Sequence, residues 1–136
     1  KRFIHSGHDV SSAICPISDS KYEIIPQNSK QKTKDGFILA KYISTRFLCI
    51  SKPTISTLLG KNFVYTNKKH KKYYNLFGQY INKKGEYTNY HQAFCNKCNQ
   101  KDISIHAYLL SPISRIDQTI LTGDYTKSNN VNLMFS

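Results

Sequence analysis

Tryptophan is absent from the 136 residues, and arginine supplies only three of the twenty basic side chains. Scarce arginine argues against planar, two-pronged reading of base edges, because lysine acts as a point charge instead. Acidic residues are few as well, eight in all. That leaves no second cluster of carboxylates to support general acid–base work or metal-assisted hydrolysis. No apolar run approaches the ~20 residues of a membrane-spanning helix. No long basic amphipathic helix suited to an anionic membrane surface is legible either. The first residue is Lys1, from which a processed or truncated N-terminus is expected, and no secretory signal can be read there.

What is present is positive charge, unevenly spread. The net charge is +12 and the hydrophobic fraction 39%, enough apolar mass for one domain with a modest core. Residues 1–29 balance, and residues 91–136 carry +1. Residues 30–90 hold thirteen Lys or Arg against Asp35 and Glu86, which concentrates +11 in one central block. A solvated surface normally mixes both signs, so a block of one sign points to a polyanionic partner. Nucleic acid is the commonest such partner, since each lysine near a phosphate releases a condensed counterion. Lys, Asn, Ile and Tyr make up 53 residues; their codons imply an A+T-rich gene, as in organelles, some viruses and some parasites.

Along the chain, 11–17 and 21–26 read as short strands, each closed by a proline. Residues 29–36 read as a polar loop ending in Gly36. Residues 37–50 place Phe37, Ile38, Leu39, Tyr42, Ile43, Phe47, Leu48 and Ile50 so as to fit a helix face, running into a strand. Residues 51–57 read as a proline-containing connector. Phe63 and Tyr65 begin a strand that turns at Asn67 and returns from His70 to Phe77. Residues 82–87 are a second turn, and 113–121 a short helix or strand. No internal repeat is apparent.

The first hairpin is the most basic stretch. Lys68, Lys69, Lys71 and Lys72 flank His70 with no acidic residue among them, and phosphate contact is the expected role. Tyr65, Tyr73, Tyr74, Tyr80, Tyr87 and Tyr90 interleave with the charge. We expect them chiefly to cover a small sheet, base stacking being the alternative. Gly36, Gly60 and Gly85 mark turns.

Two further clusters carry chemistry. Cys95-x-x-Cys98 is half of a zinc site, which His91, His106, Cys15, Cys49 or a neighbouring protein would complete. A reduced pair without metal and a redox pair are the other readings. His5-Ser6-Gly7-His8-Asp9 has the residue types of a catalytic or metal site, but nothing elsewhere in the chain supports it.

Residues 33–90 resemble the universal small-subunit ribosomal protein number nineteen, of the bacterial and organellar type. Lys34-Asp35-Gly36-Phe37-Ile38 stands where that family has a basic lead-in to a helix. Ser51-Lys52-Pro53-Thr54-Ile55 then leads to Gly60-Lys61, a strand, the turn at Asn67-Lys68-Lys69, and Lys83-Lys84-Gly85-Glu86-Tyr87. The family's Gly-His before the last element is Ile81-Asn82 here, and its turn glycine is Lys68. The resemblance implies an α+β fold: a helix plus a small antiparallel sheet with a basic hairpin, and extended termini. It implies a non-enzymatic constituent of the small-subunit head that binds small-subunit ribosomal RNA beside protein thirteen, with no membrane or small-molecule partner. The RNA-binding residues expected are Lys34, Lys52, Lys61, Lys68, Lys69, His70, Lys71, Lys72, Lys83 and Lys84. Residues 1–32 and 91–136 would be extensions, the latter with a zinc knuckle. The A+T bias points to a mitochondrial ribosome and an organelle-encoded gene. The rival is a viral zinc-stabilised nucleic-acid-binding protein or a small metal-dependent nuclease.

Overall fold

The structure, a computed structural model, describes residues 2–18, 21–28, 32–33, 35–60, 64–110, 113–116, 120–123 and 134–135. In chain order come α1 (Arg2–His5), β1 (Val10–Ala13), β2 (Pro16–Ser18), β3 (Lys21–Tyr22), β4 (Ile24–Pro26), β5 (Lys32–Thr33), β6 (Phe37–Ile43) and β7 (Leu48–Ile50). Then follow α2 (Lys52–Leu59), β8 (Val64–Thr66), β9 (Lys72–Tyr74), β10 (Tyr80–Ile81), β11 (Tyr87–Thr88) and α3 (Tyr90–Gln100). The last elements are β12 (Ile105–Tyr108), β13 (Ile113–Ile116), β14 (Ile120–Gly123) and β15 (Met134–Phe135). Among the described residues no helix is long and apolar enough to cross a membrane.

The fold is α+β, and a five-stranded mixed sheet of order β4-β6-β12-β1-β7 is its centre. Strands β1 and β12 run parallel, with Val10 beside Ile105 and Ala13 beside Tyr108. The other pairs in this sheet are antiparallel. The sheet does not follow the expected division into 1–32, 33–90 and 91–136. Strands from all three segments build it, and its central strand β12 and one of that strand's two neighbours, β1, come from the presumed extensions. The start of the chain is packed too: the Phe3 ring lies 5.0–5.8 Å from those of Phe37, Phe47 and Tyr108. Parallel pairing joins strands far apart in the chain, which no local pattern announces.

Residues 37–43 form a strand, not the expected helix. Gly36 explains its start. At φ +82° it turns the chain where an added Cβ would come 2.9 Å from both Tyr108 and Leu110. Beyond it, Phe37, Ile38, Tyr42 and Ile43 are aromatic or β-branched, and the ladders to β4 and β12 take up their backbone groups. Residues 52–59 form a helix, not a connector. The Ser51 Oγ caps it by accepting from the Thr54 N–H (3.3 Å), and Pro53 sits in the first turn, where no amide bond is lost. The Asp9 carboxylate accepts from the Thr54 hydroxyl (2.9 Å) and the Ser51 hydroxyl (3.3 Å). It supplies the negative charge that a helix N-terminus favours. Helix α3 covers one face of the sheet, so that Phe94, Cys95 and Cys98 join Val10, Ile38, Ile43, Leu58 and Ile105 in a core that excludes water. The stretch 113–121 gives the hairpin β13–β14.

Candidate nucleic-acid interface

Two hairpins separate α2 from α3. In the first, Val64 lies opposite Tyr74, Tyr65 opposite Tyr73, and Thr66 opposite Lys72. Beyond these pairs the Asn67 N–H donates to the Lys71 carbonyl (3.2 Å), and the His70 N–H to the Asn67 carbonyl (2.9 Å). The loop is therefore Lys68, Lys69 and His70. His70 takes φ +56°, the left-handed last position of a three-residue hairpin loop, which histidine adopts more readily than most residues. The Asn67 side chain locks the turn, its Oδ1 accepting from the Lys69 and Lys71 N–H groups, both at 3.0 Å.

The second hairpin is built the same way. Tyr80 lies opposite Thr88 and Ile81 opposite Tyr87. The Asn82 N–H donates to the Glu86 carbonyl and the Gly85 N–H to the Asn82 carbonyl, both at 2.9 Å. Gly85 takes φ +81°. The Asn82 Oδ1 accepts from the N–H groups of Lys84 (2.9 Å) and Glu86 (3.0 Å). Each of these bonds and both strand pairs repeat those of the first hairpin, fifteen residues further along. Tyr65-Thr66-Asn67-Lys68-Lys69-His70 corresponds to Tyr80-Ile81-Asn82-Lys83-Lys84-Gly85. The expected absence of an internal repeat is thereby corrected. One short motif occurs twice, and each copy carries two lysines at the tip of a turn that asparagine pre-forms.

The segment between the hairpins and the start of the second hairpin rest on α3. Lys97, largely buried, donates from Nζ to the Asn75 carbonyl and to that of Leu76 (3.0 Å), clasping the chain between the hairpins. Burial pushes its pKa below the ordinary lysine value. Phe77 stacks on the buried Phe94, with centroids 5.1 Å apart. The Tyr80 hydroxyl accepts from the Asn96 side chain (2.9 Å). Asn89 ends the second hairpin and caps α3, accepting from the Gln92 N–H (2.9 Å). In the sequence Lys97 is one of the two residues between Cys95 and Cys98. Its carbonyl partners lie more than twenty residues away, so no sequence signal marks it.

The structure gathers Lys68, Lys69, His70, Lys71 and Lys72 on one hairpin and Lys83 and Lys84 on the next, all exposed. Among the described residues none of these lysines has an ion-pair partner; the one salt bridge joins Arg46 to Glu23. Lys52 is exposed on the first turn of α2, apart from the hairpins. Lys34, Lys61 and Phe63 lie outside the described residues. The six tyrosines do not bury themselves on the sheet. All are exposed; five lie on hairpins that pair as two-stranded ribbons, outside the five-stranded sheet, and Tyr90 opens α3.

The zinc reading does not fit the cysteine pair. Cys95 and Cys98 are wholly buried on the inner face of α3. The Cys95 Sγ faces the Ile43 carbonyl (3.6 Å) and receives the Ile43 N–H (3.5 Å). Burial raises the Cys95 thiol to about 11 and the Cys98 thiol to about 12, so both sit protonated in the core. His91 is engaged elsewhere: its Nδ1 accepts from the Thr45 N–H (2.9 Å) and meets the Thr45 hydroxyl (2.7 Å). His106 stacks on His8 at 3.7 Å. Among the described residues no three His, Cys, Asp or Glu side chains converge to hold a metal. In the His5–Asp9 cluster, His8 stacks on His106 and the Asp9 carboxylate caps α2.

No family model, curated protein or solved structure matches this chain. Of the elements behind the ribosomal resemblance, the turns at Asn67 and at Lys83-Lys84-Gly85 are hairpin turns, while the helix implied after Gly36 is strand β6.

Proposed function

We propose that this chain is a non-catalytic RNA-binding protein whose two dilysine hairpins hold a phosphate backbone. The observation that carries the reading is the repeated turn. The same asparagine-locked loop presents two lysines, without an ion-pair partner among the described residues, at each of two tips. Self-repulsion of that charge goes unrelieved until a polyanion arrives. Pre-formed turns also lower the entropy lost on binding. The finer reading is a structural constituent of a small ribosomal subunit, in a mitochondrial ribosome. It rests on the resemblance of 33–90, which the hairpin half of that stretch supports and its first half does not.

Sedimentation of a native extract at moderate and then high salt tests it. The chain should travel with small ribosomal subunits through the high-salt step. If it runs free of ribosomes yet binds RNA when purified, the ribosomal setting falls and the RNA-binding reading stands. If it does neither, both fall.

A further inference from the structure

We propose that the hairpin of β8 and β9 selects unpaired RNA over duplex, by seating a base on the stacked pair Tyr65–Tyr73. The proposal rests on the RNA-binding reading above and narrows its substrate class. Tyr65 and Tyr73 are cross-strand partners on one face of the ribbon. Their rings lie 5.4 Å apart and 18° from parallel. They remain 57% and 39% exposed, so the pair has not been formed to close a core.

The Tyr73 ring is also aimed. Its hydroxyl accepts from the Asn67 Nδ2 (3.1 Å), while the Oδ1 of the same side chain holds the turn amides of Lys69 and Lys71. One asparagine thus sets both the lysine-bearing loop and the aromatic surface beside it. A flat, pre-ordered ring pair next to point charges offers a base a stacking partner while its own phosphates meet lysine. Duplex RNA cannot use such a surface, since its base faces are already stacked and only backbone and groove edges are presented.

The second hairpin serves as an internal contrast. The residue matching Tyr73 is Thr88, which is buried, and Tyr80 is tied to Asn96 through its hydroxyl. No such ring pair exists there, so that copy contributes phosphate contacts without a base platform. An anionic membrane would also suit lysine and tyrosine, and is therefore one arm of the test.

The experiment measures binding of the full chain to an unstructured RNA oligonucleotide, to a duplex of the same length, and to phosphatidylserine vesicles, at one salt concentration. The unpaired oligonucleotide should bind more tightly than the duplex. Tyr65→Leu and Tyr73→Leu should each weaken unpaired binding about tenfold with a much smaller effect on duplex. Tyr65→Phe, which keeps the ring, should restore unpaired binding. Lys68→Ala/Lys69→Ala should weaken both ligands together. Equal losses on both RNAs in the tyrosine variants, or a duplex preference, would overturn the stacking and leave the phosphate reading intact. No binding to either RNA, with or without capture by vesicles, would overturn both. Should a leucine variant lose the hairpin, photo-crosslinking of wild-type protein to 5-iodouracil RNA decides. Adducts at Tyr65 or Tyr73 support the proposal, and adducts confined to other residues refute it.

Discussion

Replacing the lysines at the two hairpin tips separates a working interface from a merely solvated one. In single-stranded RNA each phosphate neutralised lowers the logarithmic salt slope of affinity by about 0.7. Lys68→Ala/Lys69→Ala removes two lysines from one tip, so the slope should become shallower by about 1.4. Between about 50 and 200 mM salt the wild-type protein should then lose affinity about sevenfold more than the variant. Lys83→Ala/Lys84→Ala should shift the slope by the same amount, because the two loops share every turn hydrogen bond. Absolute affinity should fall further for the first pair, whose neighbours are Lys71 and Lys72 where the second hairpin has Glu86 and Tyr87. The four-residue variant should flatten the slope by about 2.8, an advantage of about fiftyfold over the same salt range. Fluorescence anisotropy with a labelled RNA longer than both hairpins gives the slopes directly. Unchanged slopes in both pair variants would refute the phosphate assignment. A change in only one would show that the repeat in structure is not a repeat in function.

Two other outcomes follow from the buried groups. Burial lowers the pKa of His91 and of His106 from the ordinary 6.5, so below that pH the unfolded chain takes up more protons than the folded one. Stability should therefore fall as the pH drops from 6.5 towards the folded values. Urea midpoints at pH 7.5 and about 5.5 check this, and equal midpoints would contradict it. Cys95 and Cys98, buried and protonated, should resist a thiol reagent until the chain is denatured. A strong chelator should leave the thermal midpoint unchanged; a drop on chelation would restore zinc to the pair.

The elements legible in the sequence are those whose causes lie within a few residues. Asn67 accepts from amides two and four residues on, and Asn82 does the same. Turn chemistry alone therefore locates both loops. Their kinship was missed because the flanking residues differ and a single repeat has no period to detect. Residues 37–43 form a strand although their apolar spacing suits a helix face, because their strand partner β12 lies about sixty-five to seventy residues away. The helix at 52–59 was missed because Pro53 looks like a breaker. The carboxylate that completes its cap, Asp9, is more than forty residues upstream.

By itself the sequence determined the charge block, the hairpins and the lysines at their tips. These are local: composition places the charge, and an asparagine side chain reaches only its own turn. Only the tertiary structure decided that Cys95 and Cys98 are core thiols, that His91 meets Thr45, His106 stacks on His8 and Asp9 caps α2, and that the tyrosines remain exposed. Burial is set by which distant segments pair, and here β1, β6, β12 and α3 meet from every part of the chain. That meeting removes water from the cysteines and raises their pKa, while Tyr65 and Tyr73 stay exposed.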